Sequence, residues 1–311
     1  MSENNYKITL IIPFLNEAAT IEDVFKGIEV QTLIPDEIIF VDAGSIDNTQ
    51  QLITSWNQNN SYECKILSCP NAMPGKARNF GIRNSKHNLI AFLDSGILPE
   101  PDWLSLLLQE LKSTGGNGAW GTCIYEGHSP LAKMVSAYSF GNFSKIEYFL
   151  AGSLFAKETF EKIGYFEEHL RAAEDLIWRE KYLNEFSNTK SSEAYVRYTR
   201  FPTSIFNVLK KWNLYAEHTA IASVQKKQQL FYFLFFLSLV AGGSYEPYVG
   251  SFIFLTYVIL RGIIDPIRRS KHLNWWGRDI YLPIIGPSYV FLLDLAKCMG
   301  FLKGNFNFLF K

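Results

Sequence analysis

The stretch ITLIIPFLNEAATIEDVFKGIEVQTLIPDEIIFVDAGSIDNT, Ile8–Thr49, decides the fold. It opens on an apolar run, ITLIIPF (8–14), and nearly closes on a second, EIIFVDA (37–43). Short continuous apolar runs bounded by polar residues read as strands buried on both faces, as in a parallel sheet. Between them TIEDVFKGIEVQ reads as a helix, with Thr20 and Asp23 in the spacing of an imperfect capping box. Working outward, the same unit recurs. CKILSC (64–69) and LIAFLDS (89–95) are two more such strands, and DNTQQLITSW and GKARNFGIRNS are the helices between. The spacing predicts repeated βαβ units and a parallel α/β sheet flanked by helices.

Polar residues follow each run. Asn16 and Glu17 come after the first, Asp42, Gly44 and Ser45 after the second, Pro70 to Lys76 after the third, and Asp94, Ser95 and Gly96 after the fourth. In a parallel sheet all four loops share one edge, where open α/β sheets bind their ligands. Turn chemistry alone also uses Asn, Asp, Gly and Ser. Four such loops in register, carrying carboxylates and bases, favour a site. Farther on, WLSLLLQEL reads as an amphipathic helix, FLAGSLFAK (149–157) as a strand and ETFEKIG as a helix.

Length and charge narrow the function. The 311 residues suit one large domain or two smaller ones. Thirty basic side chains balance thirty acidic ones, so no global field argues for nucleic acid as a partner. Cys64, Cys69, Cys123 and Cys298 have no zinc-ligand spacing and read as reduced thiols of a cytosolic domain. The polar start MSENNYK is unlike a signal peptide, which puts the first half in the cytoplasm.

The last third is different. LFYFLFFLSLVA (230–241) and YVGSFIFLTYVIL (248–260) are continuously apolar, with Glu246 the one charge between 230 and 260. Extended into the loop between them, they predict a hairpin of two membrane spans ended by Arg261. The loop beyond carries Arg261, Arg268, Arg269, Lys271 and Arg278, with Trp275 and Trp276 suited to an interface. Positive-inside logic places that loop and the N-terminal part on the cytoplasmic side. A third run, IYLPIIGPSYVFLLDLAKCMGFL, is broken by Pro283, Gly286 and Pro287 and carries Asp294, so it reads as a kinked span or an interfacial segment. A soluble core or dimer interface is the competing reading, and the near absence of charge favours membrane lipid as the partner.

Taken in order, ITLIIPFLNEAATIEDVFKGI, EIIFVDAGSIDNT, PGKARNFGI, LIAFLDSG and AGSLFAKETFEKIGYFEEHLRAAEDLIW resemble family 2 glycosyltransferases over residues 6–185. The resemblance implies a GT-A fold, a Rossmann-like, mostly parallel sheet flanked by helices, here over 1–220, with a membrane-associated helical region over 221–311. It implies inverting transfer of a sugar from a nucleotide diphospho-sugar, at the inner membrane with the catalytic domain cytoplasmic. The acceptor expected beside a membrane is a lipid-linked saccharide. On the donor side it implies Pro13, Phe14, Asn16 and Glu17 beside the nucleoside, and Asp42, with Ser45, near the base. Ala43 stands where many relatives have a second carboxylate. Lys76, Arg78 and Asn79 would lie near the nucleotide, their cations offsetting diphosphate charge.

Asp94-Ser95-Gly96 matches the family's Asp-x-Asp motif, whose carboxylates hold Mg²⁺ or Mn²⁺ on the diphosphate. Here Gly96 replaces the second Asp. Three readings follow: Asp94 still holds a weakly bound metal, basic side chains replace it, or the protein binds without turnover. The first is preferred, because Mg²⁺ often takes only one or two protein carboxylates. The Glu174-Asp175 pair matches the family's general base, with Asp175 taking the acceptor's proton. A charged helix face partnered by Arg171 and Arg179 is the plain alternative. Gly152 and Ser153 would lie near the acceptor. Arg197, Arg200, Lys210, Lys211, Trp212 and His218 either close the site or lie on a basic helix at the membrane surface. Two rivals remain: a polyprenyl-phosphate glycosyl synthase, whose ionised acceptor needs no base, and a non-catalytic nucleotide-sugar binder.

Overall fold

The computed structural model describes residues 6–60, 62–139, 145–186, 189–198, 200–270 and 279–309. Lys271, Trp275, Trp276 and Arg278 lie outside the described residues. The chain forms two compact units. One takes in Met1–Ile124 and Lys145–Arg200, the other Tyr125–Ser144 and Phe201–Lys311.

The first unit holds a sheet whose described strands run in the order β3-β2-β1-β4-β7-β6-β8-β5. The expected strands are there: β1 (Ile8–Phe14), β2 (Glu37–Asp42), β3 (Cys64–Ser68) and β4 (Leu89–Phe92), mutually parallel. β2 is buried at every position, as a strand covered on both faces must be. β3 is only partly buried, because it is the edge strand. Beyond β4 the sheet turns antiparallel. β7 (Lys145–Ala156) pairs with β4 and with β6 (Gly118–Tyr125), and β8 (Ser191–Tyr198) pairs with the short β5 (Ile97–Pro99). The sheet is therefore mixed. Continuous apolar runs mark buried strands but not their direction.

Helices α1 (Ile21–Glu29), α2 (Thr49–Gln58) and α3 (Pro74–Arg83) connect the parallel strands. The capping box expected at Thr20 does not form: its hydroxyl bonds the Glu17 carbonyl, and Asp23 accepts from Arg200. Pro74 sits in the first turn of α3, where its fixed φ suits a helix start. Helices α4 (Trp103–Thr114), α6 (Lys157–Ile163) and α7 (Glu174–Glu185) complete this unit. Its core joins Phe92, Phe155, Phe160, Phe166 and Trp178, with Phe166 and Trp178 ring centroids 5.1 Å apart. Phe92 ends β4 two residues before Asp94, and Trp178 lies one turn after Glu174. This aromatic packing fixes both ends of the carboxylate set.

The second unit is helical, and includes α5 (Pro130–Ser139), α8 (Ile205–Ile221), α9 (Lys226–Tyr245), α10 (Pro247–Tyr257) and a C-terminal helix, Tyr281–Leu309. Among the described residues two helices are long and apolar enough to cross a membrane, by length and composition: Pro247–Arg268, of 22 residues, and Tyr281–Phe306, of 26. The expected pairing of the first two runs shifts accordingly. α9 opens on Lys226, Lys227, Gln228 and Gln229, which shortens its apolar stretch. α9 and α10 close against each other at glycines, where a Cβ on Gly250 would fall 2.7 Å from the Gly243 Cα. Their outer faces leave Phe231, Leu234, Leu237, Phe252 and Leu255 exposed. The third run is one helix with Pro287 inside it. Only 17% of the first span's apolar window is buried against 56% of the second's, so the second is as much a core helix as a surface one.

Two features of this unit differ from the sequence reading. Arg261 does not end a span in a loop. The chain continues helically through it as a π-helical turn, Val258–Ile264, and its guanidinium meets the fully buried Asp294 at 2.8 Å. Tyr257 and Tyr232 hydroxyls donate to the same carboxylate at 2.9 and 3.1 Å. A charge inside an apolar segment is tolerated when paired in this way, so Arg261 does not count toward the positive loop. The C-terminal helix also crosses α8 closely through Gly300 and Gly304. A Cβ on either would fall 2.2 or 2.3 Å from the carbonyl oxygens of Asn213 and Glu217, and Ala216 and Ala220 face them. Small residues four apart on both helices let the backbones approach.

Candidate active site

The strand order reverses between β1 and β4. β2 and β3 lie on one side of β1, and β4 on the other. Ligands of open α/β sheets bind beyond the carboxyl ends of the strands at such a switch point. The loops after β1, β2 and β4 meet there.

The first two loops are knitted together by the chain itself. Asn16 adopts a left-handed φ of 56°, which Asn tolerates better than most residues. Its N–H donates to the Ser45 hydroxyl at 2.9 Å, and its side-chain oxygen accepts from Ile46 N–H at 2.9 Å. Glu17 N–H donates to Thr49 Oγ1, and Ala18 N–H to Asp47. Asp42 is buried at the end of β2. One oxygen accepts from Gly44 N–H, Ser45 N–H and the Ser45 hydroxyl, and the other from the Gln50 amide. Burial works to raise its pKa, but these hydrogen bonds outweigh it and hold the carboxyl below its usual range. Phe14 is buried and packs edge-on to Phe40 at 6.3 Å, while Pro13 is partly exposed.

The carboxylate set is built around Arg78 of α3. Its Nη1 donates to Glu174 at 2.7 Å and its Nη2 to Asp94 at 2.9 Å. Burial opposes the cation, yet Asp94, Glu174 and Asp175 push its pKa up, so it stays charged. Burial also pushes the Glu174 carboxyl up, with Arg78 pulling against it and Asp175 adding to the rise. Glu174 Oε2 and Arg78 Nε are buried without a hydrogen-bond partner, an uncommon state for buried polar atoms. Asp175 is partly exposed beside them, in the first turn of α7. Ala173 immediately before has φ 73°. A left-handed non-glycine costs of order 1–3 kcal/mol and persists where its surroundings demand it.

The neighbours of Arg78 divide in role. Asn79 is buried and spent on the chain: its amide donates to the Phe166 carbonyl and to Glu168, and its oxygen accepts from Phe166 N–H. With Gly75, where a Cβ would fall 2.3 Å from the Glu167 carbonyl oxygen, it fixes the 166–168 segment that leads into α7. Lys76 is exposed on the same first turn. Ser95 is buried. Ser153 is fully buried, donating to the Phe149 carbonyl and accepting from Gly121 N–H. Gly152 packs on Val196, with its carbonyl taken by the Trp103 indole at 2.8 Å. The geometry thus gathers Asp94, Arg78, Glu174 and Asp175, while Asn79, Gly152 and Ser153 serve the frame around them.

For a divalent ion at this edge, Asp94 is the carboxylate that the Asp-x-Asp match offers. Among the described residues no three His, Cys, Asp or Glu side chains cluster as ligands. One Asp94 oxygen is committed to Arg78, but the side chain remains 41% exposed, leaving the other oxygen to offer. That falls short of a protein-built cage and fits a Mg²⁺ or Mn²⁺ completed by water and ligand phosphates.

Of the later cations, Arg197 pairs with Glu100, and Arg200 reaches Glu17 and Asp23 at 3.2 Å each. Lys210, Lys211, Trp212 and His218 belong to α8 of the helical unit. The placement of Arg200 beside the site was signalled in the sequence only as one cation among several.

The family model of glycosyl transferase family 2 matches residues 9–171. Among curated proteins, the chain is 26% identical over 191 residues to glycosyltransferase AglE of Haloferax volcanii, covering 56% of this chain and 60% of that one. It is 24% identical over 235 residues to the O-antigen chain rhamnosyltransferase RfbN of Salmonella typhimurium, covering 66% of this chain and 74% of that one. Its match therefore spans less than two thirds of the length of the Haloferax volcanii protein. Among solved structures, the mannosyltransferase PcManGT from Pyrobaculum calidifontis, in complex with GDP-Man and Mn²⁺, shares the fold with a TM-score of 0.57 at 13% identity, over 97% of this chain and 87% of that one.

Proposed function

The chain belongs to glycosyltransferase family 2, and from that premise we propose that it moves a sugar from a nucleotide diphospho-sugar to a saccharide hydroxyl, with inversion at the anomeric carbon. One observation carries the reading: a partly exposed carboxylate, Asp175, beside the Arg78–Asp94–Glu174 ion-pair set at the switch point of the sheet. In the step proposed, the acceptor oxygen attacks the anomeric carbon while Asp175 takes its proton. The bond from that carbon to the diphosphate oxygen breaks, and the electron pair leaves with the diphosphate. Glu174 is ion-paired and buried, which suits it to hold Arg78 rather than to exchange protons. Arg78 steadies Asp94 at the donor edge. The loops of Pro13, Phe14, Asn16, Glu17, Asp42 and Ser45 would frame the nucleoside, with Lys76 and Ser95 at the margin of the diphosphate. When bound at Asp94, Mg²⁺ or Mn²⁺ would supply Lewis-acid stabilisation of the leaving group.

A panel of nucleotide diphosphates titrated by calorimetry into the detergent-solubilised chain tests the donor site. Binding of one nucleotide over the others is expected; the base that binds narrows the donor. Binding of none would remove the donor-site reading.

The chemistry is assigned to residues 1–220 and membrane association to 221–311, with the catalytic part on the cytoplasmic face of the inner membrane and a lipid-linked saccharide as acceptor. The support is the exposed apolar surface of α9 and α10 and the span Pro247–Arg268. Soluble monomers rarely expose apolar patches beyond a few hundred Å². In cell fractionation the full chain is expected in the membrane pellet after a carbonate wash and to need detergent for release. Recovery in the soluble fraction would overturn the assignment.

A further inference from the structure

The crevice at the switch point has two banks, the loop after β1 and the loop after β4. On the second bank the position two residues after Asp94 is Gly96, so no side chain projects there. Arg200 borders that space. Among the described residues a Cβ on Gly96 would meet one neighbour within 4 Å, the Arg200 Cδ at 3.8 Å, an ordinary van der Waals distance. The strand register brings Arg200 there, since Ile97 of β5 lies opposite Tyr198 of β8, two residues before it. From Gly96 the guanidinium reaches the first bank. Nη1 donates to Glu17 at 3.2 Å, and Nη2 to Asp23 at 3.2 Å and to the Thr20 carbonyl. One side chain thus links the loop of Asp94 to the start of α1. A guanidinium has five N–H donors; among the described residues these three bonds leave two for another acceptor. Arg78 approaches Asp94 separately, from α3.

We propose that Arg200 is a donor-binding residue: it places on the diphosphate the positive charge that a second carboxylate at position 96 would otherwise recruit as a metal, so that nucleotide diphosphate binding survives removal of divalent cations. The inference rests on the donor-site reading above. The physical ground is the match between a planar fork of N–H donors and phosphate oxygens, which makes Arg a strong phosphate partner even without metal. Glu17 and Asp23 hold the fork in place before the donor arrives, and the diphosphate competes with Glu17 for it. A metal at Asp94 then assists without being required for binding.

The test is calorimetric titration of UDP and GDP into the full chain in detergent, with Mn²⁺ and with chelator, for the native chain, Arg200→Ala, Arg200→Lys, Gly96→Asp and the double variant Gly96→Asp/Arg200→Ala. For the native chain, affinity in chelator is expected within about threefold of that in Mn²⁺, a difference under one 1.4 kcal/mol decade. Arg200→Ala should lose about tenfold or more in chelator, the scale of one charge-assisted hydrogen-bonded contact, and Mn²⁺ should restore part of it. Arg200→Lys should recover less than half of that loss on a logarithmic scale, because a point charge does not reproduce the fork. Gly96→Asp, which leaves the Arg200 bonds to α1 available, should neutralise the cation and weaken metal-free binding about tenfold. The double variant should bind in Mn²⁺ and lose that binding in chelator. If Arg200→Ala does not fold, Gly96→Asp and Arg200→Lys carry the test alone. Native binding that chelator abolishes, or metal-free binding unchanged in the Arg200 and Gly96 variants, would overturn the proposal while leaving the donor site standing. Absence of nucleotide binding by the native chain in both conditions would overturn the donor site itself.

Discussion

Asp175→Asn is expected to lower sugar transfer by about 10²–10⁴-fold, the range a positioned general base contributes, while leaving nucleotide diphosphate affinity within about threefold, less than one 1.4 kcal/mol decade. The choice of Asp175 over Glu174 follows from their surroundings. Glu174 is buried and held by Arg78 at 2.7 Å, so accepting a proton would cost it that ion pair. Asp175 is partly exposed and stands next in the same helical turn, outside the Arg78–Glu174 pair. The amide of Asn keeps the size of the carboxylate and removes its basicity, so the variant isolates proton transfer. Initial rates of sugar transfer, beside the calorimetric panel, check it. Transfer at the native rate would remove Asp175 as the base. It would also favour transfer to an ionised phosphate acceptor, which needs no base. A native chain with binding but no transfer to any acceptor would favour a binding role instead.

The parts of this architecture that were legible from the sequence share a physical cause. A strand covered on both faces needs apolar residues at consecutive positions, and β1, β2 and β4 show them. A parallel sheet places every βα loop at one edge, so Asn16, Asp42 and Asp94 could be grouped without coordinates. The antiparallel half of the sheet could not, because β6 and β7 meet through long-range pairings with irregular register that no local period records. Roles within the site were legible only by type. Asn79 and Ser153 carry polar groups of the right kind near the right loops, yet the structure spends those groups on Phe166, Glu168, Phe149 and Gly121. Arg261 read as a boundary because a cation after an apolar run looks like the end of a span. Its partner Asp294 lies 33 residues on, where only the fold can bring it. Gly300 and Gly304 carry no period of their own, and their meaning lies in the carbonyls of α8 that they approach.

The second large effect is expected at Arg78. Arg78→Leu removes a cation that touches both Asp94 and Glu174. Breaking a buried ion pair by deleting one partner typically costs about 3–5 kcal/mol, because the other charge stays buried and uncompensated. Glu174, with 5% of its side chain exposed, is that charge. Already pushed up by burial, its pKa rises further without Arg78. The pH dependence follows from its sign. The unfolded carboxyl ionises near about 4.3, while the folded one holds its proton to higher pH. The folded state then binds more protons, and stability falls as pH rises from about 4.3 toward the folded value. The deficit of Arg78→Leu against the native chain should therefore be largest near neutral pH and shrink toward about pH 4. Denaturant melts in detergent across that interval check it. Adding Glu174→Gln separates stability from chemistry. The double variant removes both members of the pair, so most of the lost stability should return, whereas transfer should not, because Asp94 is still without its arginine. A double variant as unstable as Arg78→Leu alone would mean that Arg78 acts through its packing under Phe166, 5.8 Å from the guanidinium carbon, and not through the charge of Glu174.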